Sequence, residues 1–332
     1  MTSHRRHPRT TVRLAPALLA VPLLALASCS SSAEIEQEQA AGAPAEAGTE
    51  ALAVSTSPDQ DRVRGTESAE AVALLPADVA EDGVLTVAVG AFTAPLSFLA
   101  DDNRTVIGHE PDIAQLVADG LGLELELVTT DWSSWPLATQ SGDVEVTIAN
   151  VTVTEERKQL FDFSSYRVDE LGFLAPAGSG LTVDGAADVA GLRIAVGSGT
   201  NQEKILLAWD AENRAAGLEP VDVQYFENDG DTTLALQSGR LDLTFGPNAT
   251  AAYKAAVAPD EFEVVGTVNG GWPETAQIAV ATAKGNGLAD AVTPALNQAV
   301  EDGTYAEVLE RWGLTSEAVE RSETNPPGLP AS

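Results

Sequence analysis

An α/β fold of two lobes, each a mainly parallel sheet flanked by helices, follows from three observations. From Gly83 onward short apolar strands alternate with amphipathic helices. The alternation restarts after Gly191, as a second β-α-β run. The two runs also share a unit, QSGDVEVTIANVT from Gln140 and QSGRLDLTFGPNAT from Gln237: a helix end, a glycine stop, a strand, then polar residues at the strand's C-terminal edge. Ligands of parallel α/β sheets bind at that edge, and two such edges facing each other make a cleft.

The elements follow in order. VLTVAVG (Val84–Gly90) is a strand, DIAQLVADGLG (Asp112–Gly122) has helical spacing and a glycine stop, and LELELV (Leu123–Val128) alternates with period two. A helix near Trp132–Gln140 leads into the strand Val144–Ala149. The second run reads LRIAVG strand, NQEKILLAWDAENRA helix, VDVQYF strand, DTTLALQSG helix, LDLTFG strand and ATAAYKAAV helix. AQIAVATAKG is a further strand, and LADAVTPALNQAVEDG and YAEVLERWG are two final helices. Residues 319–332 read as a tail, because the prolines of SETNPPGLP exclude helix.

The N-terminal flank sets the compartment. Residues 1–28 carry Arg5, Arg6, Arg9 and Arg13 with no acid, then an apolar stretch of signal-peptide length, too short for a permanent bilayer span. They end in Leu26-Ala27-Ser28 before Cys29, the only cysteine of the chain. Small residues before a cysteine resemble a bacterial lipobox, so Cys29 is expected to be acylated and to anchor the mature chain on the extracellular face of the membrane. Residues 29–76, rich in Ala, Glu, Ser, Gln, Gly and Pro, read as a disordered tether.

Charge and residue inventory narrow the function classes. Removing residues 1–28 leaves 14 basic against 50 acidic residues, a net −36 with histidine neutral. That field disfavours nucleic acid and anionic lipid as partners. One cysteine excludes an intramolecular disulfide, and a single histidine beyond the leader, His109, argues against a transition-metal site. No cofactor is expected. His109 adjoins Glu110, a pair capable of acid-base work, but no nucleophile or second carboxylate accompanies it recognisably.

The polar clusters suggest anion recognition. Arg157 follows Thr152 by five residues just past a strand, next to Asn150 at the same edge. A guanidinium offers two parallel donors that match a carboxylate, although a surface pairing with Glu155 or Glu156 fits the same spacing. GSGTNQE, with Gly199 and Thr200, is a glycine turn opening a helix, where free N–H groups favour an anion. It lacks the Lys-Ser/Thr end of a nucleotide loop. Trp132, at a helix start, and Phe92, in GAFTAP, are candidate cleft walls.

VIGHEPDIAQLVADGLG, IANVTVTEERKQLFDFS, GLRIAVGSGTNQE, ALQSGRLDLTFG and VEDGTYAEVLERWG together resemble the extracellular solute-binding proteins of polar amino-acid ABC importers, over about Val84–Leu314. The resemblance implies a periplasmic-binding-protein-like fold, with lobe 1 at 77–169 plus 276–318, lobe 2 at 170–275 and two hinge crossings near Glu170–Ala175 and Ala276–Ala281. It also implies a monomer that captures an amino acid or related small carboxylate and delivers it to permease subunits, without chemistry of its own. It implies that Arg157 clamps the ligand carboxylate, helped by Thr152 and Thr200, with Trp132 as one aromatic wall. The other wall position falls at Thr93, with Phe92 displaced by one. One departure stands out: the family's aspartate for the α-ammonium group falls at Pro247, which carries no charge. Glu110 is the expected replacement, or Asn248 accommodates a ligand without an ordinary amine. Two alternatives share this fold: a dehydratase-like enzyme acting on a cyclic carboxylic acid, and a sensory binding module.

Overall fold

The computed structural model describes residues 54–330 apart from Asp82, Phe92 and Glu227. The leader at 1–28, Cys29 and residues 29–53 of the expected tether lie outside the described residues.

The strands expected from β-α-β alternation pair in parallel. β1 (Val84–Val89) is followed in the chain by β2 (Phe98–Leu99) and β3 (Val106–Ile107), which form a small antiparallel pair of their own. In the large sheet β1 lies between β4 (Glu124–Thr129) and β5 (Val146–Thr152), with Val84 opposite Glu124 and Val87 opposite Val146. In the second half β7 (Arg193–Val196) lies between β8 (Asp222–Gln224) and β9 (Leu243–Pro247). The antiparallel pairings of the large sheet all involve β6 (Phe161–Pro176) or β11 (Ala276–Ala283).

β6, a 16-residue strand, joins the halves. Its residues 161–169 pair with β11, and from Glu170 onward it pairs with β9 and with β10 (Phe262–Asn269). The chain returns through Gly270–Thr275, after which Ala276 stands opposite Asp169. Ala276–Ala281, expected both as the second crossing and as part of a strand, form the start of β11, their apolar run buried between β5 and β6, so the crossing itself falls just before them.

Helices cover the sheet through their apolar spacing. In α3 (His109–Leu121), counting the helices of the described residues from α1 (Ala69–Leu74) and α2 (Ala77–Ala80), the residues Ile113, Leu116, Val117 and Leu121 recur at helical intervals and are buried. Each such burial contributes roughly 1.5–3 kcal/mol. α8 (Leu288–Glu301) crosses α3 at Gly120, where a Cβ would meet Ala295 Cβ at 2.7 Å. α4 (Trp135–Ser141) packs Trp135 on Phe161 at the start of β6, ring centroids 4.8 Å apart, in a cluster with Ala149 and Val151 of β5. α5 (Asn201–Ala215), α6 (Asp229–Gln237) and α7 (Asn248–Val257) serve the second half, whose core stacks Phe173 on Phe245 at 4.1 Å and on Trp209 at 5.8 Å. α9 (Thr304–Trp312) returns to the first core.

Two flanking segments differ from their sequence reading. Residues 54–76 are not a free tether. Arg62 donates to Val106 O at 3.0 Å, Arg64 Nε to Asp119 at 2.8 Å and Ser68 N to Gly120 O at 2.9 Å, and Ser68 caps α1, where Ala71 is fully buried. Composition measures what a segment can bury by itself; this one buries against a neighbour. The tail is likewise docked. Asn325 N donates to Phe163 O at 2.8 Å, Leu329 N to Val153 O at 3.0 Å, and Glu155 N to Leu329 O at 2.8 Å. Its prolines do exclude helix, and the extended chain that results pairs with exposed backbone.

Candidate functional site

A cavity of about 750 Å³ opens between the two halves and is lined from both. That volume lies in the upper part of the ~300–1,000 Å³ typical of small-molecule sites. The strand edges put it there, since Ala149 and Asn150 of β5 face Thr244–Pro247 of β9 across it.

Asn150 sits in an irregular stretch of β5 where pairing with β11 shifts register between Ala279 and Ala281. Its φ of 53° is unusual for a residue with a side chain. Two contacts hold it: its N–H donates to Glu110 Oε2 at 2.9 Å, and its Oδ1 accepts from Arg167, which in turn pairs with buried Glu317. Such concentrated strain is characteristic of functional sites.

Glu110 lines the cavity yet is only 1% exposed. Both its oxygens are engaged, by Asn150 N–H and by the Tyr166 hydroxyl at 2.9 Å. Burial pushes its carboxyl up to about 7, against the opposing pull of Arg167, Tyr166 and Asn150. His109 is fully buried against Tyr166, with ring centroids 5.8 Å apart, and does not line the cavity. Burial first, then the Arg167 charge, holds it well below the usual imidazole range.

Of the other candidate residues, Trp132 and Thr200 line the cavity. Trp132 is half-buried and packs on Trp135 at 6.2 Å. Thr200 caps α5, accepting from Glu203 N at 3.2 Å and donating to Gly197 O at 2.6 Å. Glu203 takes the Gly199 N–H at 2.6 Å, so part of this anion-friendly turn is filled by the protein's own carboxylate. Gly199, with a left-handed φ of 72°, supports the turn just behind the wall.

Arg157, Thr152, Gly199 and Asn248 are not among the lining residues, and Phe92 lies outside the described residues. Arg157 donates Nη1 to Thr152 O at 2.8 Å and Nη2 to Gly199 O at 3.5 Å, with its guanidinium 5.4 Å from the Trp132 ring centroid. The Thr152 hydroxyl lies 2.7 Å from Asp169 Oδ2 and 2.9 Å from Asn201 Oδ1. Asn201 also donates to Gly270 O, and Lys204 pairs with Glu156 at 3.0 Å. These contacts tie β5 and the segment after it to the start of α5, across the cleft. Asn248 Nδ2 donates to Glu170 Oε2 at 2.9 Å beside Pro247, which does line the cavity.

Sequence reasoning missed Asp169 and Asn201, both buried in this tie, and Asp229, Lys254, Tyr225 and Phe226 on the second-half wall. For Asp169 and Asn201 a signal existed: polar residues inside runs that otherwise bury. The wall residues carried none, since an Asp and a Lys on two helices read as solvent-facing charge. Among the described residues no His, Cys, Asp and Glu cluster could hold a metal ion, and no helix is long and apolar enough to cross a membrane.

The arrangement is suited to gripping a small polar solute between opposed strand edges. A family model described as bacterial extracellular solute-binding proteins, family 3, matches residues 85–315. The L-cystine-binding protein TcyJ of Escherichia coli (strain K12) is 31% identical over 236 residues, 70% of this chain and 84% of that protein. The arginine-binding protein ArgT of Corynebacterium glutamicum is 26% identical over 246 residues, 74% and 79% of the two chains. Among solved structures, an ancestral arginine-binding protein bound to arginine superposes with a TM-score of 0.61 at 28% identity, covering 69% of this chain and 98% of that one. An ancestral amino acid-binding protein, AncCDT-1, a precursor of cyclohexadienyl dehydratase, also has a TM-score of 0.61 at 26% identity, covering 71% and 97%.

Proposed function

The chain belongs to the bacterial extracellular solute-binding proteins of family 3, and from that premise we propose that it is the lipid-anchored receptor of an ABC importer, capturing an amino acid or a close relative between its halves and presenting it to a permease. The observation that carries this is the cavity itself. It is walled by both halves, and those halves are connected only by β6 and the Gly270–Thr275 return among the described core strands. Two such connections suit a hinge, and closure requires only that ligand bind the closed form better than the open one. Cys29 supplies the anchor. Arg157, half-buried beside Trp132, reorients from Thr152 O and Gly199 O toward the ligand carboxylate, and Asn150 and Thr200 complete the polar wall.

Relatives named for cystine and for arginine support an amino-acid ligand and leave its side chain open. The test is thermal unfolding against a panel of free amino acids and the matching acids without the amine. Ligand at about 100 times its dissociation constant adds about 2.7 kcal/mol, a readily measured shift. Stabilisation by amino acids that Trp132→Ala and Arg157→Ala abolish supports the reading. A panel without a shift, in a chain that unfolds cooperatively, would refute it. For the anchor, mass spectrometry of the membrane fraction should find Cys29 acylated, and Cys29→Ser should release the chain from the membrane.

A further inference from the structure

The tail docked on the first half also reaches the crossing that the proposed hinge must flex. Glu323 and Asn325 pair with Ser165 and Phe163 in the first part of β6 and fix the tail's course. Leu329 then runs alongside Thr154, its carbonyl accepting from Glu155 N at 2.8 Å and its N–H donating to Val153 O at 3.0 Å. Gly328 N donates to the Glu155 carboxylate at 2.9 Å. The backbones approach closely because residue 328 has no side chain: a Cβ there would meet Thr154 C at 2.7 Å. The segment so held leads directly into Arg157.

The half-buried side chain of Leu329 lies on Gly271, in the Gly270–Thr275 return. A Cβ on Gly271 would fall 2.1 Å from Leu329 Cδ2, so the leucine packs against the bare backbone of the crossing. The crossing is fastened to the second half as well. Asn201 Nδ2 donates to Gly270 O, and Trp272 packs edge-on against Trp209 at 5.1 Å. These contacts coexist with ties between the halves, Lys204 to Glu156 at 3.0 Å and Arg157 to Gly199 O at 3.5 Å. Rotation of the second half away from the first changes backbone angles in the crossing, and Gly271 then moves against Leu329. A tail that only covered the first half would place no side chain on the return.

We infer that residues 322–330 form a strap that holds the return crossing through Leu329 and so biases the two halves toward the tied, closed arrangement. The inference rests on the hinged binding function proposed above. It makes the C-terminal segment a determinant of ligand affinity, although no residue of it lines the cavity. Loss of the strap lowers the closed fraction that exists before ligand arrives, and that weakens every ligand by one common factor.

The experiment reads both closure and affinity in the full chain carrying Cys29→Ser. Spin labels at Leu137→Cys on α4 and Leu234→Cys on α6, both exposed, report the distance between the halves. L-Arginine, L-glutamine and L-cystine are the binding probes, measured by calorimetry. Leu329→Ala should shift the ligand-free distance distribution away from the one that a bound probe produces. It should also raise the dissociation constant of each probe that binds by a common factor of about 5–10, the scale of a half-buried leucine's burial. Gly271→Ala, whose Cβ displaces Leu329, should act alike with the natural tail and add little once residue 329 is alanine. Leu329→Met refills the contact and should restore affinity; it carries the test with Leu329→Ala if Gly271→Ala does not fold. Distances and dissociation constants that Leu329→Ala leaves unchanged, with only the melting midpoint lowered, would overturn the strap. Weakening that differs from one probe to another would overturn it too, since the tail would then act on the site itself. A distance distribution that Leu329→Ala shifts in a chain that binds none of the probes supports the strap and counts against the amino-acid reading.

Discussion

Glu110 offers a prediction in which structure fixes both sign and size. Its carboxyl moves from about 4.5 when exposed to about 7 in the fold, chiefly through burial. Between those values the folded protein holds a proton that the unfolded chain releases. Stability from this group is thus fully present below about pH 4.5 and is lost as pH rises through about 7. Integrated from pH 5 to pH 8, the loss is on the order of 2–3 kcal/mol. Glu110→Gln removes the titration and keeps the side chain's shape. The chain's general acidity adds its own pH dependence through self-repulsion, but that is common to both proteins and cancels in their difference. Urea unfolding of the two proteins at pH 5, 6, 7 and 8 gives that difference directly. The wild-type stability relative to the variant should fall by roughly 2–3 kcal/mol across the series. A flat difference, or one that rises with pH, would mean that Arg167, Tyr166 and Asn150 outweigh burial and that Glu110 is ionised in the fold.

Two further substitutions probe the supports of the site. Arg167→Met strands Glu317 in the interior and removes the donor to half-buried Asn150, and should cost about 3–5 kcal/mol, while Arg167→Met with Glu317→Leu should recover much of it; both are read by chemical denaturation. Truncation after Arg321 removes the backbone bonds from Ser165 to Glu323, from Asn325 to Phe163 and between residues 153–155 and Leu329. Hydrogen exchange at Glu155 and Ser165 should accelerate and the melting midpoint fall by several degrees, with unchanged exchange at these amides as the contrary result.

How much was legible in the sequence depended on whether a residue's partner lay close in the chain. The parallel strands and their helices were readable because period-two and period-3.6 patterns are local: Leu116, Val117 and Leu121 announce α3 without reference to anything else. β6 was not, because a strand buried in both halves loses the alternation that marks a half-exposed one, and its middle carries Tyr166, Arg167 and Asp169. Residues 54–76 read as tether, and the docking of the tail at 322–330 goes unannounced, for a related reason. Their polar, proline-bearing composition is that of a free chain, and what orders them is backbone and side-chain partners more than 40 residues distant. At the site, Trp132, Asn150, Thr200 and Glu110 were found as cavity residues because strand ends and helix starts are predictable. Asp229 and Lys254 were not, because only tertiary packing brings two helix surfaces onto one wall.

Pro247 connects the local pattern to specificity. In the family this chain resembles, an aspartate stands there for the ligand's amine, and the expected substitute, Glu110, has both oxygens engaged at the opposite strand edge. The backbone at 247 would accept an aspartate: φ −55° and ψ 131° are ordinary for it, and the position is the N-cap of α7, which now has no side-chain cap. Pro247→Asp should therefore add about 1 kcal/mol of stability through the cap. It should also place a carboxylate on the cavity wall beside Asn248, which is itself held by Glu170. The affinity of an α-amino acid relative to its deaminated analogue should rise by roughly 10-fold or more, the scale of a charge-assisted contact. Calorimetry with each ligand pair, on wild type and variant, reads that ratio free of any change in overall affinity. An unchanged ratio in a variant that gains the cap stability would show that the amine is held elsewhere in the cleft, and that Pro247 is a consequence of that relocation.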